Sequence, residues 1–61
     1  MKRAELISHL KKNGCKLVRN GANHDLYQNP KNGKMSAIGR HNELDNLYCR
    51  MICKQLEIEI L

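Results

Sequence analysis

CKLVRNGANHDLYQNPKNGKMSAIG, residues 15–39, decides the fold. Three short apolar runs are divided by two Asn-Gly pairs. CKLVRN, residues 15–20, reads as a strand centred on Leu17 and Val18. Asn20-Gly21 is a tight-turn signal, because both residue types tolerate the left-handed conformations that hairpin turns demand. NHDLYQ, residues 23–28, is then a second strand. NPKNG, residues 29–33, joins Pro30 to the second Asn-Gly pair and marks another turn. KMSAIG, residues 34–39, is the third strand, and Gly39 should end it. Connections this short cannot cross over a sheet, so the three strands form an antiparallel meander.

The flanking segments carry helical periodicity instead. In KRAELISHLKKN, residues 2–13, Leu6, Ile7 and Leu10 share one side with Ala4 close by. Lys11 and Lys12 fall in the last turn, where cations suit the negative end of the helix dipole, and Gly14 supplies the stop. In NELDNLYCRMICKQLE, residues 42–57, Leu44, Leu47, Tyr48, Met51 and Ile52 follow the i, i+3, i+4, i+7, i+8 spacing. Asn42 or Asp45 could cap this helix. The closing LEIEIL alternates apolar and acidic, which suits an extended tail as well as a frayed helix end. The order is α-β-β-β-α in one domain spanning residues 1–61. Both helices cover the same sheet face, the layout of double-stranded-RNA-binding domains in miniature.

A chain of 61 residues buries only roughly 60% of its unfolded surface. With no Trp, no Phe and two Tyr, the core rests on aliphatic side chains. Charge is uneven. Residues 1–41 hold nine basic and two acidic groups, a local +7, whereas residues 42–61 hold two basic and four acidic ones, a local −2. A basic field on two thirds of so small a domain attracts polyanions, of which nucleic acid is the usual one. Three cysteines without a signal peptide do not form a disulfide framework, and no apolar run approaches the ~20 residues that span a membrane. A reduced, cytoplasmic protein is expected.

Few residues could carry chemistry. His24 follows the small residues Gly21, Ala22 and Asn23, which allow a phosphate or a backbone to approach closely. Imidazole both accepts and donates protons near neutral pH. RNA brings its own nucleophile, the 2′-OH, so its cleavage needs a base, an acid and cations near the phosphate, and no metal. Lys16, Arg19, Lys34 and Arg40 are cations that the meander could bring near His24. The alternative is a hydrogen-bonded histidine at a strand edge, and composition alone favours it. Arg40-His41 could contact phosphate or supply a second proton-transfer group, or it could be a solvated loop. His9 reads as a helix-flank residue. Cys49 and Cys53 are spaced i, i+4, which is not a metal-knuckle spacing, so they read as small apolar flank residues and no metal site or cofactor is expected.

Taken together, KRAELISHLKKNGCKLVRNGANHDLY, the turn with Gly33, AIGRHNEL and LYCRMICKQL resemble the HicA family of toxin endoribonucleases over nearly the whole length. The Gly-x-Asn-His-Asp-aliphatic-Tyr string and the later Arg-His are the most specific pieces. The resemblance implies a double-stranded-RNA-binding-like fold, metal-free cleavage of mRNA with His24 as the catalytic histidine, and a HicB-type antitoxin that covers the active site. It also implies differences: Cys15 stands where the family commonly has an aromatic residue, Gly39 where it often has proline, and the segment after His41 is about one residue short. Two other function classes fit parts of the sequence. One is an RNA-binding module of the same fold that does not cut. The other is an interaction protein that docks through its second helix and tail.

Overall fold

The computed structural model describes residues 1–61, and the element order is the expected one. Helix α1 spans Arg3–Lys12 and ends at Asn13, whose backbone N–H closes on the carbonyls of the last turn; Gly14 comes next at φ 86°. Strands β1 (Lys16–Asn20), β2 (His24–Gln28) and β3 (Met35–Gly39) form one antiparallel sheet in the order β1-β2-β3. Helix α2 spans Asn46–Leu56. The fold is α+β, with the double-stranded-RNA-binding-like arrangement of elements.

Ten buried residues make the core. Leu6 and Leu10 come from α1, Cys15 from the link to β1, Tyr27 and Ile38 from β2 and β3, Leu44 from the loop before α2, and Cys49, Ile52, Cys53 and Leu56 from α2. Tyr27 and Ile38 lie on the sheet face that the helices cover. Cross-strand pairing puts Asp25 opposite Ile38 and Tyr27 opposite Ser36, so Asp25 and Ser36 share that face. His24, Leu26 and Gln28, opposite Gly39, Ala37 and Met35, line the open face.

The second helix departs from the sequence reading at two points. It starts at Asn46, not residue 42, with Asp45 as its cap accepting from the Tyr48 N–H at 3.3 Å. Residues 42–44 instead lie extended beside the N-terminus: Arg3 N–H donates to the Asn42 carbonyl and Leu44 N–H to the Met1 carbonyl, both at 2.8 Å. Its buried stripe is also displaced. Cys49, Ile52, Cys53 and Leu56 face the sheet, whereas Leu47 and Met51 are more than half exposed. The two cysteines are therefore core residues and not flank residues.

The two edges of the sheet differ. Leu17 and Val18, the expected centre of the first strand, are both more than 40% exposed: α2 packs on β3 at the other side of the sheet and every residue of β1 is exposed. The β3 edge is covered at its C-terminal end. The Tyr48 hydroxyl accepts from Gly39 N–H and donates to the Ala37 carbonyl, each at 3.2 Å, as a neighbouring strand would. Past α2 the chain turns at Glu57 in the left-handed conformation and runs on to Leu61 outside any helix or strand. Ile58 donates its N–H to the Cys53 carbonyl at 3.0 Å and packs on the core.

The 29–33 turn is tied to the end of α2. Buried Asn29 donates its side-chain amide to the Leu56 carbonyl at 2.9 Å and accepts from Lys31 N–H at 3.1 Å, and Asn32 adds a second bond to the Leu56 carbonyl at 3.2 Å. These amides satisfy a helix-end carbonyl that lacks an intrahelical partner.

Candidate active site

His24 opens β2, and its position is set by the hairpin before it. Asn20 pairs with Asp25, and Gly21 N–H donates to the His24 carbonyl at 2.7 Å. The loop centre is therefore Ala22-Asn23, with Asn20-Gly21 one step ahead of it. A Cβ at Gly21 would stand 2.8 Å from the His24 carbonyl oxygen, so what the glycine admits is the backbone of His24 itself.

Strand β2 alternates regularly, which puts the His24 side chain on the open face with Leu26. The irregularity lies in β1. Lys16 opposes Gln28 and Leu17 opposes Tyr27; then Val18 is passed over and Arg19 opposes Leu26. This one-residue bulge re-aims the remainder of the strand. Without it Arg19 would oppose Asp25 on the helix-covered face; with it, Arg19 joins His24 and Leu26. Arg19, Gly21, Ala22, Asn23, His24, Leu26 and Ala37 line a shallow depression of about 280 Å³.

The other expected site residues are dispersed. Lys16 shares the open face but stands opposite Gln28, four residues and about 13 Å along β2 from His24. Lys34 precedes β3 at the same far end, with its ammonium 3.9 Å from Glu57. His41 is exposed two residues beyond Gly39, the cross-strand partner of His24, and does not line the depression.

Arg40 is close to His24 but turned towards the loop. Its Nη1 donates to the Ala22 carbonyl at 2.9 Å. Its Nη2 donates to the carbonyls of Gly21 and, at 3.3 Å, His24. Nε and Nη2 also reach Asp25 Oδ1 at 3.0 and 2.7 Å. The other Asp25 oxygen accepts from Arg3 Nη2 at 2.7 Å, and Arg3 Nε donates to the Gly39 carbonyl at 2.7 Å. The hydrogen bond and charge of Arg40, helped by Arg3, hold the Asp25 carboxyl below the usual carboxylate range, and Asp25 in turn raises the Arg40 guanidinium. Asp25 is the single acid between Glu5 and Glu43. With two arginines on it, it leaves the surrounding field positive.

Sequence reasoning did not identify Arg3 or Asp25 as parts of this corner. The Asp in the string around His24 was the available signal, since an acid in so basic a stretch needs a cationic partner. The buried thiols of Cys15, Cys49 and Cys53 are pushed up by burial, as suits core residues.

A family model described as the HicA toxin of bacterial toxin-antitoxin matches residues 3–58. No match was found among curated proteins or among solved structures.

Proposed function

The chain belongs to the HicA toxin family of bacterial toxin–antitoxin systems, and from that premise we propose that it is an endoribonuclease that cuts mRNA without a metal ion, with His24 as the catalytic histidine. The observation that carries this reading is the meeting of His24 and Arg19 in one depression on the open sheet face. Outside the strand ladder, the hydrogen bonds at His24 run through its carbonyl, so the imidazole is available to a ligand.

In the proposed reaction a ribose 2′-oxygen attacks the adjacent phosphorus. The new 2′-O–P bond forms as the P–O5′ bond breaks, leaving a 2′,3′-cyclic phosphate on one fragment and a 5′-hydroxyl on the other. His24 takes the proton from the 2′-OH or, in its protonated form, delivers one to the leaving 5′-oxygen; water serves the other transfer. Arg19 offsets the charge that develops on the phosphoryl oxygens. Lys16 contacts a phosphate further along the open face, and Lys34 and His41 extend the basic field at its margins. A single histidine contributes typically ~10²–10⁴-fold, and a toxin needs only a few cuts per transcript.

Family members pair with antitoxins. The partner proposed here is of the HicB type, presenting acidic or apolar groups to the basic open face. Both act where mRNA is found, in the cytoplasm.

Incubating RNA with wild type and His24→Ala in EDTA tests the assignment. Cleavage by the wild type alone, with cyclic phosphate ends, is the expected result. If neither protein cuts while both bind RNA equally, the chain is a binding module and the enzyme reading falls.

A further inference from the structure

We infer that Arg40 is a positioning residue for His24 and not a ligand for RNA, with Asp25 and Arg3 as its anchor. The inference rests on the catalytic reading of His24, because only then does the placement of that loop matter to a reaction.

The geometry is specific. Three carbonyls of one four-residue loop, those of Gly21, Ala22 and His24, converge on one guanidinium. An arginine offers five N–H donors in a fixed planar fork. All three of its nitrogens are engaged here, by the loop and by Asp25 Oδ1. One Nη1 N–H is left over, but a phosphate gripping the fork through two nitrogens would displace these bonds and uncover carbonyls. Asp25 cannot drift, because its second oxygen is held by Arg3, which is itself fixed to the Gly39 carbonyl opposite His24. The connection runs from α1 through Asp25 to Arg40 and on to the loop that ends in His24. Lysine cannot reproduce it: an ammonium is a point charge on a flexible stem and cannot meet three carbonyls and a carboxylate in one plane. The consequence is kinetic. Loosening the loop displaces the imidazole from its working position, and a misplacement of about 1 Å costs on the order of 10²-fold in rate.

Three full-length variants test this: Arg40→Lys, Arg40→Ala and Asp25→Asn. Each is first checked for a wild-type far-UV circular dichroism spectrum. The measurements are kcat and KM for metal-free RNA cleavage, and amide hydrogen exchange by NMR at residues 21–24. Positioning predicts faster exchange at the Gly21 amide and a kcat lower by about 100-fold, with KM little changed. Asp25→Asn is the sharpest arm. It removes an acid from a basic surface, so if Arg40 bound RNA this variant should bind RNA more tightly and keep its kcat. Higher KM with unchanged kcat in the Arg40 variants, together with wild-type exchange at 21–24, would overturn the inference. If His24→Ala still cuts RNA, the catalytic reading fails instead. The clamp is then decided by exchange alone: unchanged protection at Gly21 in Arg40→Ala refutes it, and lost protection upholds it as a loop anchor.

Discussion

Tyr48→Phe removes one oxygen atom and leaves the ring in place. That oxygen accepts from Gly39 N–H and donates to the Ala37 carbonyl, both at 3.2 Å. A net hydrogen bond is worth about 0.5–1.5 kcal/mol, which brackets the loss at roughly 1–3 kcal/mol. The bond to Ala37 lies at the surface, where water can replace it, so the expected cost is about 1 kcal/mol, the low end. For 61 residues the total stability is on the order of 3–9 kcal/mol, and a domain of this size loses about 4–8 °C in melting temperature per kcal/mol. The variant should also uncap the β3 edge, adding concentration-dependent self-association. Thermal melts, amide exchange at Gly39 and gel filtration over a concentration series measure the three consequences. A melting curve superimposable on the wild type, with no faster exchange at Gly39, would refute the role given to this hydroxyl.

Three other perturbations have defined outcomes. Asn29→Ala deletes a buried side chain that bonds Leu56 and Lys31; it should cost about 2 kcal/mol in denaturant unfolding, because Asn32 alone remains on the helix-end carbonyl. Glu57→Gly should stabilise by about 1 kcal/mol, read as a higher melting temperature. Glu57 sits at φ 55°, where glycine pays no steric penalty, and the exposed Lys34 pair it gives up is worth roughly a few tenths of a kcal/mol. The pH dependence originates at Asp25, whose carboxyl is held below its ordinary value of about 3.9. Its contribution is complete above that ordinary value and is lost as pH falls through the lower folded one, because the unfolded chain then binds the extra proton. Stability of the wild type should therefore fall more steeply below about pH 4 than that of Asp25→Asn; equal slopes would contradict the pairing with Arg3 and Arg40.

The strand order was legible because two short connections leave no room for any other topology; Gly14 and Gly33 take the left-handed conformation, whereas Gly21 does not and pairs with His24 ahead of the loop centre. The bulge was not legible. Val18 carries no mark of it, and a strand's register is settled by cross-strand pairing that a single strand does not encode. The face of α2 was misread for a related reason. Leu47 and Met51 look more apolar than Cys49 and Cys53, yet the small thiols allow the helix to pack closely on β3 while the larger side chains stay outside. His24 was legible as a candidate from the residues around it, but its face was not, because a bulge at the turn would have reversed it; the regular pairing of β2 with β3 fixes it. Arg40 shows where composition stops being informative: nothing in the sequence says that its guanidinium lies on the carbonyls of the loop before His24 and on Asp25.

The three core thiols have a practical use. The chain contains no tryptophan, so intrinsic fluorescence offers little contrast between folded and unfolded states. Cys15, Cys49 and Cys53 are each less than 5% exposed and held in their unreactive protonated form by burial. A thiol reagent can reach them only when the core opens. Their labelling rate in native buffer is therefore a clock for spontaneous opening, readable by mass spectrometry one adduct at a time. Three adducts arriving together would mark global unfolding, and Cys15 alone would mark local detachment of the uncovered first strand.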